Sequence, residues 1–379
     1  MNSNNAPSDA SLRRRPFRLQ ESGLVLVILA LGALLTIYGG TVKVPRFTIN
    51  AEGERERVFT EDADGNRQLV MEEKNKFLRA ENLTQLAKDA SFIAIMAVGA
   101  TFVIVAGQID LSVGAIYALA SVIGAMVFQA FGPEGARAAA PAWMGVGLGM
   151  LACVGTATGC GALNGGMVVA LRVHPFIITL GTMAIYRGVA YVLTKGQSIG
   201  GFPDSFREMI RWETAGALSL VPLIVMVIVT LIGSIYLARM AAGRRVYAVG
   251  GNEVASRLSG IAVGRVKLSV FVFAGITAGI SSLLALGYYG SATSGDGQGY
   301  ELDVIAAAVV GGASLTGGRG TALGALLGAL IIKMIDNGIV ILGIDQNFSR
   351  IIIGAAVIFA VVLDQLNTWL ANRRGMGNA

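Results

Sequence analysis

The residues of this chain that could take part in chemistry are few and lie far apart in the sequence. Acidic residues in or beside the apolar runs, such as Asp110 and Asp336, are isolated instead of paired, and the chain lacks GxSxG, HExxH, CxxC and Walker sequences. His174 is the only histidine, and one histidine without cysteine or carboxylate company does not make a metal site. The sequence therefore predicts no catalytic residues, no cofactor and no metal, which leaves binding and coupling as the tasks of its polar groups.

The first of these groups lies in the string GQIDLSVG, residues 107–114, where Asp110 separates two apolar runs. A lone carboxylate is costly in the middle of a membrane, so it must lie at the interface or accept hydrogen bonds from nearby backbone donors. Asp110 with Ser112 can cap a helix that begins at Leu111, where the carboxylate meets the positive end of the helix dipole. The alternative is that Asp110, Asp336 and Asn337 bind a coupling ion.

The second group lies in a polar, basic island, residues 239–267, between two apolar runs. Asn252 can cap a short helix over residues 253–258, which Gly260 ends in the left-handed conformation. One face of this helix is apolar and comprises Val254, Leu258 and Ile261. Such a face has no core of its own, and a groove on another protein would bury it. The alternative is an ordinary basic cytoplasmic loop that follows the positive-inside rule.

The composition determines the class of protein that must position these groups. The chain has 379 residues, of which 54% are hydrophobic and 14% charged, and its mean hydropathy is +0.64. Too little polar surface is available to cover a soluble globule, so we predict an all-α polytopic membrane protein. The net charge of +6 comes from short loops at span ends, which excludes a nucleic-acid-binding stripe. Cys153 and Cys160 share a helix face and are predicted to remain unbridged.

About ten transmembrane helices are predicted, with both termini in the cytoplasm because the basic clusters then all lie on one side. The expected spans are residues 23–42, 83–106, 111–131, 143–163, a fifth that ends near 194, 218–237, 268–290, 302–316, 321–342 and 348–370. The eighth is short for a full crossing and is either re-entrant or closely packed. We expect a surface helix within residues 203–212.

The remaining segments divide the chain into a membrane domain, 23–371, and two cytoplasmic tails, 1–22 and 372–379. Residues 43–82 are a charged insertion on the outer side, with a turn signal at Asp64 and Gly65 that predicts a small exposed hairpin. This insertion is either a solvated loop without a function of its own or a segment that contacts a partner on the outer side. A weak two-fold repeat is suggested by GQIDLSVGAIYAL and GGRGTALGALLGAL, which both place a polar break before a helix rich in small residues.

Several strings resemble the permease subunits of bacterial ABC importers of the ribose, galactose and xylose type. They are GQIDLSVG, with Gln108 where a glycine is common, the run from LNG through PFIITLGTMAIYRG, GRRVYAVGGNEVASRLSGI, and GGASLTGGRG. The resemblance begins near residue 77, so residues 48–76 form an insertion relative to that family. In the family, the loop at 239–267 inserts into a cleft of the ATP-hydrolysing subunit, and the GQIDLSVG string lies near the translocation path.

The resemblance implies a permease subunit in the bacterial inner membrane that forms the pathway for a monosaccharide. Its partners would be a cytoplasmic ATP-binding subunit, a periplasmic sugar-binding protein, a second copy of the chain and membrane lipid. The residues implied in coupling to the ATPase are Gly251, Asn252, Glu253, Ala255, Arg257, Leu258 and Gly260. The candidate pathway or core polar residues are Asp110, Ser112, Asn164, Thr179 and Asn337. The alternatives are an ion- or proton-coupled carrier, or an ABC permease for branched-chain amino acids, nucleosides or an autoinducer.

Overall fold

The computed structural model describes residues 19–50, 55–61, 66–214, 218–355, 358 and 362, and these residues are mostly helical. The helices of this part of the chain include α1 Leu19–Tyr38, α2 Ala80–Val105, α3 Val113–Ala130, α4 Ala142–Leu171, α5 Pro175–Thr194, α6 Asp204–Arg211, α7 Leu220–Arg239, α8 Ala241–Gly251, α9 Glu253–Leu258, α10 Val263–Tyr289, α11 Tyr300–Val310 and α12 Ala322–Ile341. Residues 349–355 are also helical. The 3₁₀ turn Gln346–Phe348 follows α12. The all-α membrane architecture is confirmed.

Eight of these helices are long and apolar enough to cross a membrane: α1, α2, α3, α4, α5, α7, α10 and α12. They correspond to the first seven predicted spans and the ninth. The first span ends at Tyr38, four residues before the prediction, because residues from Thr41 onward form a strand. The tenth predicted span, 348–370, lies mostly outside the described residues, as do the tails that would place both termini.

The helix α11 accounts for the short eighth span. Its 11 residues are about 16 Å long, roughly half of the ~30 Å hydrocarbon layer, so this helix cannot cross it alone. It ends at a turn in which Gly312 has a φ of +94° and the Ala313 N–H donates to the Ala308 carbonyl. The end of α2 repeats this geometry, with Gly107 at a φ of +72° and the Gln108 N–H bound to the Val103 carbonyl.

These two matching helix ends lie in the segments that the sequence pairs as a weak repeat. The first, residues 106–112, is a non-helical break between α2 and α3, and the second, residues 311–321, separates α11 from α12. A two-fold repeat of the whole domain stays a prediction.

The predicted outer hairpin is present as the pair β4 and β5, which lie on either side of Asp64 and Gly65, but it is one of three short antiparallel ladders in the segment between α1 and α2. The strands are β1 Thr41–Pro45, β2 Phe47–Ile49, β3 Arg55–Arg57, β4 Phe59–Glu61, β5 Arg67–Leu69 and β6 Met71–Asn75, and they pair as β1 with β6, β2 with β3 and β4 with β5. The ladders meet where the backbone groups of Arg46, Val58 and Val70 bond one another in a ring. The predicted turn at Asp64 and Gly65 lies outside the described residues. Two further strands, β7 Glu213–Thr214 and β8 Leu218–Ser219, form a short ladder between α6 and α7.

The core of the bundle is built on α2, α3 and α10, whose spans are mostly buried, whereas a third or less of the span is buried in α1, α4, α5 and α7. Small side chains on α4 let it approach its neighbours closely, and Gly161 contacts the backbone of α10 at Gly275. Cys153 and Cys160 are buried and unbridged, as predicted. The predicted surface helix is α6, which buries Phe206 and Ile210.

The helix α2 runs from one end of the molecule to the other. With 26 residues it is about 39 Å long. The β insertion joins its N-terminal end, where the Asn75 amide donates to the Thr36 carbonyl of α1 at 2.7 Å. The C-terminal end of α2 reaches α8, because the added Cβ of Gly250 would collide with the carbonyl oxygen of Val105. The insertion and the polar island therefore lie at opposite ends of α2, here called the outer and the inner end.

Candidate coupling site and buried polar network

The short helix α9 has the boundaries that its sequence predicts. The Asn252 side chain accepts a hydrogen bond from the Ala255 N–H at 2.9 Å, which caps the first turn. The helix ends where Gly260 adopts a φ of +80° and the Ile261 N–H donates to the Ser256 carbonyl. This left-handed position favours glycine. Both local predictions are confirmed.

The apolar face of α9 is smaller than predicted. Val254 and Leu258 are 70% and 85% exposed, so both side chains project into the surroundings. Ile261 instead packs, partly buried, against the main hydrophobic core of the same chain. The difference arises because the chain reverses at Gly260 and turns Ile261 back toward α10. The unpartnered surface is therefore an apolar pair at Val254 and Leu258.

Ionic contacts tie α9 to the start of α10. Glu253 accepts hydrogen bonds from Arg257 at 3.0 Å and from Lys267 at 2.8 Å. The hydrogen bond from Lys267 holds the pKa of the Glu253 carboxyl below its usual value, which keeps this residue ionised at neutral pH. The pair with Lys267 joins α9 to the first turns of a transmembrane helix.

Four glycines at the inner end, Gly107, Gly250, Gly317 and Gly318, form a close backbone contact that we call the glycine junction. Gly250 of α8 lies so near the end of α2 that a methyl group would overlap the Val105 carbonyl. The Gly318 N–H donates to that carbonyl at 2.9 Å, and the Tyr247 hydroxyl of α8 donates to the Gly320 carbonyl at 2.6 Å. The helix pair α8–α9 is thus attached to both helix breaks.

Sequence reasoning missed this junction. The signal was present as glycine pairs in GGNE and TGGRG, but pairs of glycines do not show which backbone they approach.

A cavity of about 1120 Å³ opens beside the junction at the inner end. It lies between α9, the turn from α4 to α5 and the start of α10, and Gln108 of the first helix break forms part of its wall. His174 is in this wall, where its side chain accepts a hydrogen bond from the Phe176 N–H and caps α5. The cavity gives one of the helix breaks an opening toward the end that carries α9.

Four of the five candidate polar residues meet in one buried network at the first helix break. The Asp110 carboxylate accepts from the Ser112 N–H at 2.8 Å and from the Ser112 hydroxyl at 2.6 Å. The Asn164 amide of α4 donates to the Ser112 hydroxyl oxygen at 2.7 Å. The Thr179 hydroxyl of α5 accepts from the Leu111 N–H at 3.2 Å. The network holds the break against α4 and α5.

The predicted capping role of Asp110 needs correction. Helix α3 begins at Val113, and its N-cap residue Ser112 makes no capping hydrogen bond with its side chain. The Ser112 hydroxyl donates to Asp110 instead, because that carboxylate is buried and needs donors. The second carboxylate oxygen of Asp110 is buried without a hydrogen-bond partner among the described residues.

Asn337 lies away from this network, near the outer end of the bundle. It forms a reciprocal amide pair with Asn82 of α2, in which the Asn337 amide donates at 2.7 Å and the Asn82 amide at 3.2 Å. Its neighbour Asp336 pairs with Lys333 at 2.8 Å. The three groups of the ion-binding alternative, Asp110, Asp336 and Asn337, therefore do not form one site.

Replacement of Asp110 by alanine is expected to lower both thermal stability and uptake. It leaves the N–H and the hydroxyl of Ser112 without their acceptor, at about 1–3 kcal/mol for each buried group. Asp110→Asn retains a carbonyl acceptor and should keep most of the stability. The measurement is thermal unfolding of the purified protein by intrinsic fluorescence, with the exposed Glu208→Ala as the control. Unchanged unfolding and uptake in Asp110→Ala would show that the network is incidental.

Residues 82–361 match the family described as "Branched-chain amino acid transport system / permease component". The chain belongs to this family. It is 38% identical over 290 residues to the D-allose transport system permease protein AlsC of Escherichia coli K12, covering 76% of this chain and 85% of that protein. It is 36% identical to the ribose import permease proteins RbsC of Escherichia coli K12 and Bacillus subtilis 168, with 76% of this chain and 87% and 86% of those proteins covered.

Membership explains why the chain has helix breaks and a polar network but no catalytic motif. Permease subunits form the membrane-spanning part of an ABC transporter and are not its ATPase. The chain is accordingly a multi-pass permease of the bacterial inner membrane, with eight membrane-spanning candidates in its described part. The match begins at residue 82, after the β insertion.

Proposed function

We propose that this permease forms the pathway for a monosaccharide and that its α9 helix receives the work of a separate ATP-hydrolysing subunit. The observation that carries the proposal is the apolar pair Val254 and Leu258, which is exposed on a helix attached to both helix breaks. The sugar specificity is supported by the names of the relatives, which include D-allose and ribose permeases. A monosaccharide resembling ribose, xylose, galactose or allose fits these relatives.

The coupling follows from how α9 is attached. An ATP-binding subunit whose groove holds Val254 and Leu258 would move α9 when it closes on ATP. Glu253 and Lys267 transmit that movement to α10, and the glycine junction transmits it to the ends of α2 and α11. Close backbone contact without side chains transmits displacement over a short distance because nothing compressible lies between the elements. The pathway then alternates between inward-facing and outward-facing states.

The opposite end of the molecule receives the solute. A periplasmic sugar-binding protein would dock at the outer end of α2, the end that carries the β insertion. The insertion presents Phe47, Phe59 and Met71 as exposed apolar side chains on its short ladders. We propose the insertion as part of the surface that meets the binding protein.

A second copy of the chain completes the pathway. The exposed faces of α4 and α5 are apolar, and glycines on them have open space where a side chain would be: Gly155, Gly159, Gly181 and Gly188. Glycines spaced four residues apart, as in Gly155 and Gly159, let transmembrane helices of two chains pack closely. We propose that the second copy covers this face and that lipid covers the remaining exposed apolar helices, α1 among them.

Glu253→Lys or Gly260→Leu is expected to abolish uptake while the amount of protein in the membrane stays normal. Glu253→Lys places three cations together at the ionic contact with Arg257 and Lys267. Gly260→Leu places a large side chain at a φ of +80° and distorts the end of α9. The measurement is uptake of radiolabelled sugar together with sugar-stimulated ATPase activity in proteoliposomes that contain all subunits.

The matched control is Glu134→Lys, which makes the same charge change at an exposed loop residue far from α9. It should leave uptake unchanged. Normal uptake in both α9 variants would contradict the docking assignment.

An ion- or proton-coupled carrier is the competing function. Its proposed ligands lie apart, and Asp336 is already paired with a lysine. Uptake by the permease should therefore continue when an uncoupler dissipates the proton gradient while ATP is held constant. Collapse of uptake under that condition would favour the carrier.

A further inference from the structure

A cleft of about 400 Å³ lies at the outer end of the bundle. It opens between the first turns of α2, the last residue of α10, the first residue of α11 and the last turns of α12. Most of its lining is polar or aromatic and includes Gln85, Asp89, Tyr289, Tyr300, Lys333 and Asp336. This size lies within the range of sites that take small molecules.

The lining combines planar hydrogen-bonding groups with aromatic rings. Asp89 accepts from the Gln85 amide at 2.9 Å and 3.0 Å and from the Tyr289 hydroxyl at 3.3 Å. Tyr300 packs edge to face against Tyr117, which fixes the orientation of its ring. Sugar hydroxyls bond well to carboxylates and amides, and the C–H face of a sugar ring is apolar enough to cover an aromatic ring.

The charges of the cleft select for a neutral ligand. Among the described residues, Lys333 is the only cationic side chain that lines the cleft. Its ammonium group is shared between Asp303 at 2.9 Å and Asp336 at 2.8 Å. Lys88, next to Asp89 in the sequence, donates to the side-chain oxygen of Gln85 at 2.6 Å and lies over the Tyr288 ring at 3.6 Å. Asp89 has no ion-pair partner within the described part of the chain, so it repels anions and attracts hydroxyl donors.

We propose that this cleft is a carbohydrate-binding site that holds one neutral monosaccharide at the outer end of the permease. The inference rests on the proposed function and adds a specificity site within this chain, separate from any binding protein. Asp89 accepts hydrogen bonds from the sugar hydroxyls, and Tyr289 and Tyr300 provide the aromatic surface. Anionic sugars such as uronic acids are rejected by the carboxylates.

The test is saturation-transfer NMR on the purified full-length permease in nanodiscs, without any partner, using D-ribose, D-allose and D-glucuronate as probes. The wild-type protein should give a signal with at least one neutral sugar and none with glucuronate. Asp89→Ala and Tyr289→Leu should each weaken neutral-sugar binding about ten-fold, which corresponds to about 1.4 kcal/mol. Glu81→Gln, an exposed carboxylate on the same helix outside the cleft, should bind like the wild type.

A second variant distinguishes recognition from loss of folding. Asp89→Asn keeps the size of the side chain and removes its charge, so it should reduce the discrimination against glucuronate while thermal unfolding stays unchanged. Equal binding in the wild type, Asp89→Ala and Tyr289→Leu would overturn the site. So would the absence of any sugar signal from a permease that imports sugar with its partners in cells. Absence of sugar import by the whole system would instead reject the proposed function.

Discussion

Gly250→Ala is expected to abolish uptake, the largest effect that we predict for the removal or addition of a single methyl group. The added methyl overlaps the Val105 carbonyl oxygen and approaches the Gly318 nitrogen, both of which are backbone atoms. Overpacking of a well-filled site typically costs about 1–3 kcal/mol, and backbone atoms cannot turn away as side chains do. The substitution should push α8 away from the end of α2 and disturb the 2.9 Å hydrogen bond from Gly318 to Val105, which joins the second helix break to α2.

Uptake and sugar-stimulated ATPase activity in proteoliposomes measure this effect. We expect ATP hydrolysis to persist without transport, because α9 remains exposed for docking while the close contact of α8 with the end of α2 is displaced. Gly23→Ala is the control, since it makes the same change in α1 where the added methyl group meets open space. Wild-type transport in Gly250→Ala would refute the role of the junction.

Lys333→Met is expected to lower the free energy of unfolding by about 3–5 kcal/mol, the largest loss of stability that we predict. The substitution leaves Asp303 and Asp336 unpaired, although their side chains are only 16% and 28% exposed. Asp336 keeps one donor, the Ser349 hydroxyl at 2.5 Å, and loses its ionic partner. Two neighbouring carboxylates without a cation also repel each other.

Thermal unfolding monitored by size-exclusion chromatography after heating is the appropriate measurement. Lys333→Arg retains the charge and should keep most of the stability. The triple variant Lys333→Met, Asp303→Asn, Asp336→Asn should recover part of the loss, because it removes the unpaired charges together with the lysine. A Lys333→Met protein as stable as the wild type would show that the ion pairs contribute nothing measurable.

The features that could be predicted from the sequence are those that depend on neighbouring residues. The cap at Asn252 and the left-handed Gly260 follow from side-chain and backbone preferences within a few positions, and both are present. Long apolar runs determine helices in lipid because every backbone polar group must be satisfied within the segment. The eight spans in the described part of the chain follow from that requirement.

The features that could not be predicted depend on contacts between distant parts of the chain. Gly107, Gly250 and Gly317 meet across more than two hundred residues, and a glycine does not indicate which backbone will approach it. Asn337 pairs with Asn82 of α2, which is distant in the sequence. The Asp110 carboxylate accepts from Ser112, which precedes α3, and does not cap the first turn of that helix.

Of the three arms of the insertion, only the hairpin around Asp64 and Gly65, formed by β4 and β5, was predicted. The strands of the insertion are three to five residues long and show only weak alternation, so the sequence does not specify which strands pair.

The central claim is that α9 docks into a separate ATP-binding subunit and that the permease has no motor of its own. Site-specific cross-linking from Leu258→Cys, with the full transporter in membranes, tests it most directly, because Leu258 is the more exposed residue of the apolar pair and the native cysteines are buried. We predict a cross-link to the ATP-binding subunit whose yield changes with nucleotide, and labelling by an impermeant maleimide only from the cytoplasmic side. Labelling from the outer side, or no cross-link during active uptake, would contradict the claim.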